Sequence, residues 1–238
     1  MITGHRGASA FFPENTIRSI QGAIECGATA VELDVRSTLD GHLVLSHDPT
    51  LERTCGLSKQ ISEIKLSEVQ TLRTRGEKIP TLEEAVRAVA GRMNLDLDIK
   101  LVGCEEQIVN IVREHDHLGN TLFTSFFPQV VYRINQIAPE AKKGLITMGT
   151  TEEAVLICPE IGASTIVPFC GDLDDKLLRI AKSSGLSTIA WTVNEPEEAK
   201  RLLEKGVDGI ITDDPCGLAK AMSESGDRRQ RRKGSRRS

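Results

Sequence analysis

Two strand-length runs carry charge where apolar residues would be expected. In "VELDV", Val31, Leu33 and Val35 fall on one face and Glu32, Asp34 and Arg36 on the other, because successive strand residues point to opposite sides. "LDLDIK" repeats the pattern, with Leu95, Leu97 and Ile99 set against Asp96, Asp98 and Lys100. If the apolar faces pack against helices, the charged faces point inward. Carboxylates gathered there repel one another and are costly to desolvate, so they need a cation. Three hard oxygen donors, Glu32, Asp34 and one Asp of the second run, suit Mg²⁺ or Ca²⁺ rather than zinc. A salt-bridge network using Arg6, Arg36 and Lys100 meets the same need, and the pattern alone leaves both open.

Five histidines accompany these acids. His5 closes the run "ITGH", directly before Arg6 and Gly7, and His47 closes the alternating run "HLVLSH". Both are expected at the carboxyl ends of strands, near the acids, where they could divide general base and general acid work. His42 beside the Asp40-Gly41 turn is read as surface, and His115 and His117 in "REHDHLG" as solvated. The six cysteines are scattered without a zinc or redox spacing and are expected as reduced packing thiols.

Stepping along the chain, strand-like runs occur at 2–5, 30–36, 93–100, 121–125, 143–147, 164–168, 188–193 and 209–212. Amphipathic stretches such as "TLEEAVRAVAG" and "EPEEAKRLLEKG" separate them, each with acidic residues at its start and Gly at its end. Eight strands, each followed by a helix, predict an α/β fold of the (β/α)8 TIM-barrel type, with a doubly wound open sheet as the alternative. One interruption follows strand two. Glu32–Arg36 and Leu43–His47 read as a hairpin-like extension, and about residues 51–79 as a small, mostly polar insertion over the barrel mouth.

Composition is that of an ordinary soluble protein, with 39% hydrophobic and 27% charged residues, and aromatics are sparse at 3%. No apolar run approaches the ~20 residues of a membrane span, and "MITGHRG" lacks signal-peptide character, so a cytoplasmic location is expected. The barrel is expected to occupy 1–222. Residues 223–238 hold seven cations against two carboxylates, a +5 segment on a chain of net −4. That tail is expected to be disordered, and either solubilising or in contact with anionic lipid or nucleic acid.

The fragments "HRG…PENT", "ELDVRSTLDGHLVLSHDPTLERT", "IPTLEEA", "LDIK", "AWTVN" and "GVDGIITDDP" occur in order from His5 to Pro215. Together they resemble the glycerophosphodiester phosphodiesterase family. The resemblance implies a (β/α)8 barrel with an insertion after strand two. It also implies metal-dependent hydrolysis of small glycerophosphodiesters to glycerol 3-phosphate and an alcohol. By motif position it puts the catalytic histidines at His5 and His47 and the metal carboxylates at Glu32, Asp34 and Asp98. Phosphate-binding cations fall at Arg6 and Lys100, and a pocket-wall tryptophan at Trp191. The family commonly has Glu in "IEIK", often preceded by Asn; here Asp98 stands in the Glu position and Asp96 in the Asn position. Asp96 is expected to lie roughly 6.6 Å deeper than Asp98, which makes Asp98 the expected ligand. Two other readings are a lysophospholipase D acting on lipid phosphodiesters and a non-catalytic phosphate-ester-binding barrel. The polar insertion favours soluble substrates over the first, and the two histidines favour an enzyme over the second.

Overall fold

The structure is a computed structural model that describes residues 1–149 and 151–223. Its centre is a closed barrel of eight parallel strands: β1 (Ile2–His5), β2 (Ala30–Ser37), β3 (Asn94–Ile99), β4 (Thr121–Ser125), β5 (Lys142–Thr147), β6 (Thr165–Pro168), β7 (Ser187–Ala190) and β8 (Gly209–Thr212). Each strand pairs with its neighbours in sequence, and β1 pairs with both β2 and β8, which closes the ring. The open-sheet alternative is therefore excluded. The longest register joins β2 to β3, with Glu32 opposite Asp96 and Asp34 opposite Asp98.

Alternation along β2 and β3 sorts the side chains as expected. Val31, Leu33, Val35, Leu95, Leu97 and Ile99 share one buried cluster with Ile20 and Ala23 of α1 (Ile17–Glu25). Removing each such side chain from water contributes about 1.5–3 kcal/mol, which fixes the outward face and commits the charged face to the interior. α1 starts at Thr16, whose hydroxyl accepts from the Ser19 amide while the Ser19 hydroxyl accepts from the Thr16 amide. This reciprocal cap satisfies two of the amides a helix start leaves unpaired.

The strand Leu43–Leu45 adds antiparallel to the end of β2 through Arg36–Val44 and its neighbours. Residues 50–78 then form two small two-stranded ladders and short helices. They bury Leu51, Ile61, Ile64, Val69 and Ile79 around Val44, in a cluster separate from that of the barrel.

Three expectations need correction. β7 ends at Ala190, three residues early; beyond it only an isolated parallel bridge, Phe169 to Trp191, continues the pairing with β6, while the Trp191 ring donates from Nε1 to the Val167 carbonyl at 2.9 Å. His117 is not solvated but 2% exposed. Cys26 and Cys216 are not free thiols but form a disulfide across 190 residues of sequence, because closure of the barrel brings the first and last helices together. The basic tail from residue 224 onward lies outside the described residues.

Candidate active site

The carboxyl ends of the strands open into one pocket. His5, Arg6, Glu32, Asp34, His47, Asp98, Lys100 and Trp191 all line it, so one cavity gathers every site residue expected from the sequence.

The turn after β1 sets the first group. Arg6 has φ of 54° and Gly7 of 89°, a left-handed pair that reverses the chain within two residues. A Cβ on Gly7 would overlap Ser19 of α1, so only glycine admits the helix this close. The reversal aims the Arg6 amide at Glu32 Oε2 (2.8 Å). It also sends the Arg6 guanidinium to Glu14 (3.0 Å) and to Asp34 (3.3 Å).

Glu32, Asp34 and Asp98 each offer an oxygen such that all three oxygens lie within 4.8 Å of one another. All three residues are buried. Lys100 Nζ bonds Asp34 Oδ1 at 3.0 Å and also contacts Asp98 Oδ2. Asp98 Oδ1 is buried with no hydrogen-bond partner in the protein. Asp96 also lines the pocket, but it lies outside the converging trio, and its Oδ1 accepts from the Thr124 hydroxyl at 2.6 Å. Four buried carboxyls thus face two cations, Arg6 and Lys100. Burial and the neighbouring charges of Asp34 and Asp98 push Glu32 well above the usual carboxylate range. Burial likewise takes Asp96 to about 7 and Asp98 to about 6, the latter despite Lys100. At Asp34 burial is outweighed by Lys100 and Arg6, and the group is held below the usual range. An orphaned oxygen, three converging hard donors and an excess of negative charge fit a divalent cation. Arg36, by contrast, does not join the acids; its guanidinium donates twice to the His47 carbonyl, at 2.9 and 2.7 Å.

Each mouth histidine has a carboxylate on Nδ1, which leaves Nε2 for chemistry. His5 Nδ1 meets Asp213 Oδ1 at 2.7 Å, and Asp213 is itself held by Ser9 (3.0 Å) and Asn194 (2.8 Å). Burial would raise Asp213, but the hydrogen bonds from His5 and Asn194 outweigh it and hold the carboxyl well below its usual range. His47 Nδ1 meets Asp48 Oδ1 at 2.8 Å, and Asp48 accepts from Arg53 Nε at 2.7 Å. Burial lowers the pKa of His47. Arg53 also donates to both oxygens of Glu14, at 2.6 and 2.8 Å, so Glu14 bridges Arg53 and Arg6.

Sequence reasoning missed Asp213, Asp48, Glu14, Arg53 and Asn15. Asn15, one residue before the Thr16 cap of α1, turns its side chain to the acids: it donates to Asp34 Oδ2 (2.8 Å) and accepts from the Asp34 amide (3.1 Å). Asp48 could have been found as the immediate neighbour of a strand-end histidine. No local signal ties Asp213 to a residue 208 positions earlier.

Residues 5–216 match the glycerophosphoryl diester phosphodiesterase family. A glycerophosphodiester phosphodiesterase of Caldanaerobacter subterraneus subsp. tengcongensis is 31% identical, covering 95% of this chain and 99% of that protein. A phosphodiesterase of Oleispira antarctica, solved in complex with the product sn-glycerol-3-phosphate, superposes with a TM-score of 0.87 at 27% identity, over 94% of this chain and 96% of that one. A glycerophosphodiester phosphodiesterase of Thermotoga maritima gives 0.81 at 30% identity, over 92% and 96%.

Proposed function

Because the chain belongs to the glycerophosphoryl diester phosphodiesterase family, we propose that it hydrolyses small glycerophosphodiesters to glycerol 3-phosphate and an alcohol, with a divalent metal and two histidines. The observation that carries this reading is one pocket holding two histidines, each oriented by a carboxylate, beside three converging acids.

Glu32, Asp34 and Asp98 would hold the ion, Mg²⁺ or Ca²⁺, which when bound supplies charge neutralisation at the phosphate. Arg6 and Lys100 bind the non-bridging oxygens and offset the charge that builds on them. Glu14 and Asp34 hold the Arg6 guanidinium in place beforehand, so its orientation costs little when substrate arrives. One histidine removes a proton from the nucleophile through Nε2, and the other delivers a proton to the leaving alkoxide. Asp213 and Asp48 keep the Nδ1 protons in place and stabilise the imidazolium formed in either role. Trp191 forms the wall opposite the acids.

The test is release of sn-glycerol 3-phosphate from glycerophosphocholine. Activity is expected to vanish in EDTA and return with Mg²⁺ or Ca²⁺. His5→Ala and His47→Ala should each lower kcat by about 10²–10⁴. Binding of the substrate without turnover would instead favour a non-catalytic barrel.

A further inference from the structure

Arg53 belongs to the segment after β2 rather than to the barrel. It lies on the short helix Glu52–Cys55, which Gly56 ends at a φ of 72°. Leu51, just before the helix, is 1% exposed and packs with Cys55 in the small core around Val44. Leu51 also pairs with Leu57 across the helix. The backbone under Arg53 is thus anchored on both sides.

All three nitrogens of its guanidinium donate to carboxylates. Nε donates to Asp48 Oδ2 at 2.7 Å, Nη1 to Glu14 Oε2 at 2.6 Å and Nη2 to Glu14 Oε1 at 2.8 Å. Asp48 keeps its other oxygen for His47 Nδ1, at 2.8 Å, and Glu14 Oε1 also accepts from Arg6 Nη1, at 3.0 Å. A continuous run of charged hydrogen bonds therefore leads from His47 through Asp48, Arg53 and Glu14 to Arg6. Both of its ends line the reaction pocket, whereas Arg53 does not, so Arg53 reaches substrate only through its partners. A lone surface ion pair contributes little, but here one fork holds two carboxylates whose side chains are only 19% and 27% exposed. With Nε on Oδ2, the Asp48 carboxylate is kept from rotating and presents Oδ1 to the imidazole. With two nitrogens on Glu14, Oε1 is likewise kept facing Arg6.

We propose that Arg53 is a positioning residue for both halves of the reaction, orienting His47 for proton transfer through Asp48 and Arg6 for the phosphate through Glu14. The proposal rests on the catalytic reading above.

The test uses the full chain with glycerophosphocholine and Mg²⁺. It measures kcat, and the Ki of added sn-glycerol 3-phosphate, which reads phosphate binding without chemistry. Arg53→Ala should lower kcat at least about tenfold, the usual worth of a partner that orients a reacting group, and raise Ki at least about fivefold. Arg53→Lys keeps the charge but not the fork, and should recover part of both. Asp48→Asn should lower kcat with Ki within about twofold, and Glu14→Gln should raise Ki more than it lowers kcat. Placed on Arg53→Ala, each of these two changes should cost at least about threefold less than it does in wild type, because it acts through the same guanidinium. Effects that simply multiply overturn the proposal. So does an Arg53→Ala variant whose kcat and Ki stay within twofold of wild type, even with a lowered Tm, because Arg53 then serves stability alone. A fall in kcat with an unchanged Ki overturns the shared role. A wild type that releases no sn-glycerol 3-phosphate overturns the catalytic reading, and this proposal with it.

Discussion

Replacing Asp213 with Asn keeps the size of the side chain and exchanges one acceptor for a donor. In the wild type, Oδ1 receives His5 Nδ1 and the Ser9 hydroxyl, and Oδ2 receives Asn194 Nδ2. Asn194 cannot turn to accommodate the change. Its own Oδ1 already accepts from the Thr212 hydroxyl (3.1 Å) and the Asp213 amide (2.9 Å). An amide nitrogen on the Oδ2 side would face a fixed donor, a mismatch that costs about 1–3 kcal/mol. The new nitrogen therefore takes the Oδ1 side, where Ser9 can rotate. A neutral His5 must then accept at Nδ1 and carry its proton on Nε2, the nitrogen left for chemistry. As a base it is blocked; as an acid it has lost the counter-charge at 2.7 Å. We expect kcat to fall about 10²–10³-fold, or roughly 3–4 kcal/mol of barrier. KM should stay within about threefold, because Asp213 does not line the pocket. The assay is steady-state kcat and KM with glycerophosphocholine, beside a thermal melt. Asp213→Glu should recover part of kcat, and Ser9→Ala, which removes only one support of the carboxylate, should cost less than about tenfold. A kcat within threefold of wild type, in a variant that melts normally, would refute the positioning role.

Metal affinity should depend on pH, because the ion competes with protons on Asp98 near 6 and on the raised Glu32. Between about pH 7.5 and pH 5.5 the Mg²⁺ or Ca²⁺ for half-maximal activity should rise at least about tenfold, and a flat titration would count against the site. The folded-state pKa values of Asp96 and Asp98 lie above their unfolded values, so the stability they contribute is complete at low pH and is lost as pH climbs through about 6 to 7. Calorimetry should accordingly find a larger metal-induced rise in Tm at pH 8 than at pH 5.5. Asp98→Asn should raise the metal requirement at least about tenfold and Asp98→Glu should retain activity, with Asp96→Asn the milder change; the reverse order for Asp96 and Asp98 in a metal titration would exchange their roles. Gly7→Ala should destabilise the fold by about 2–4 kcal/mol in denaturant unfolding, from its positive φ and the overlap with Ser19, and unchanged stability would show that the turn relaxes. Reducing Cys26–Cys216, or Cys26→Ser, should lower stability by about 2–5 kcal/mol with little change in kcat; an unmoved Tm would remove the bond's structural role.

The barrel was readable because eight strand-length runs are each followed by a helical stretch, and the inward carboxylates because β2 and β3 alternate strictly. His5 and His47 were readable because each ends an apolar run. Of their partners, Asp48 directly follows His47, but Asp213 leaves no local trace. Asp213 becomes a neighbour of His5 only when β8 closes against β1, and Cys216 reaches Cys26 by the same closure. Asn15 has a φ of 55°, which turns its side chain onto Asp34, and nothing in its sequence neighbourhood records that contact. His117 sits in a polar stretch, and only the packed structure shows it buried.

The segment at 50–78 has its own small core around Val44, and its described ties to the chemistry run through one side chain, Arg53, to Asp48 and Glu14. Such an arrangement is modular. A segment of different length or surface could be grafted onto the ends of the same hairpin, with the reaction centre undisturbed, provided that it returned one guanidinium to that spot. The barrel could then keep its catalytic apparatus while its outer face was rebuilt for new substrates, with Arg53 as the single joint at which the two must agree.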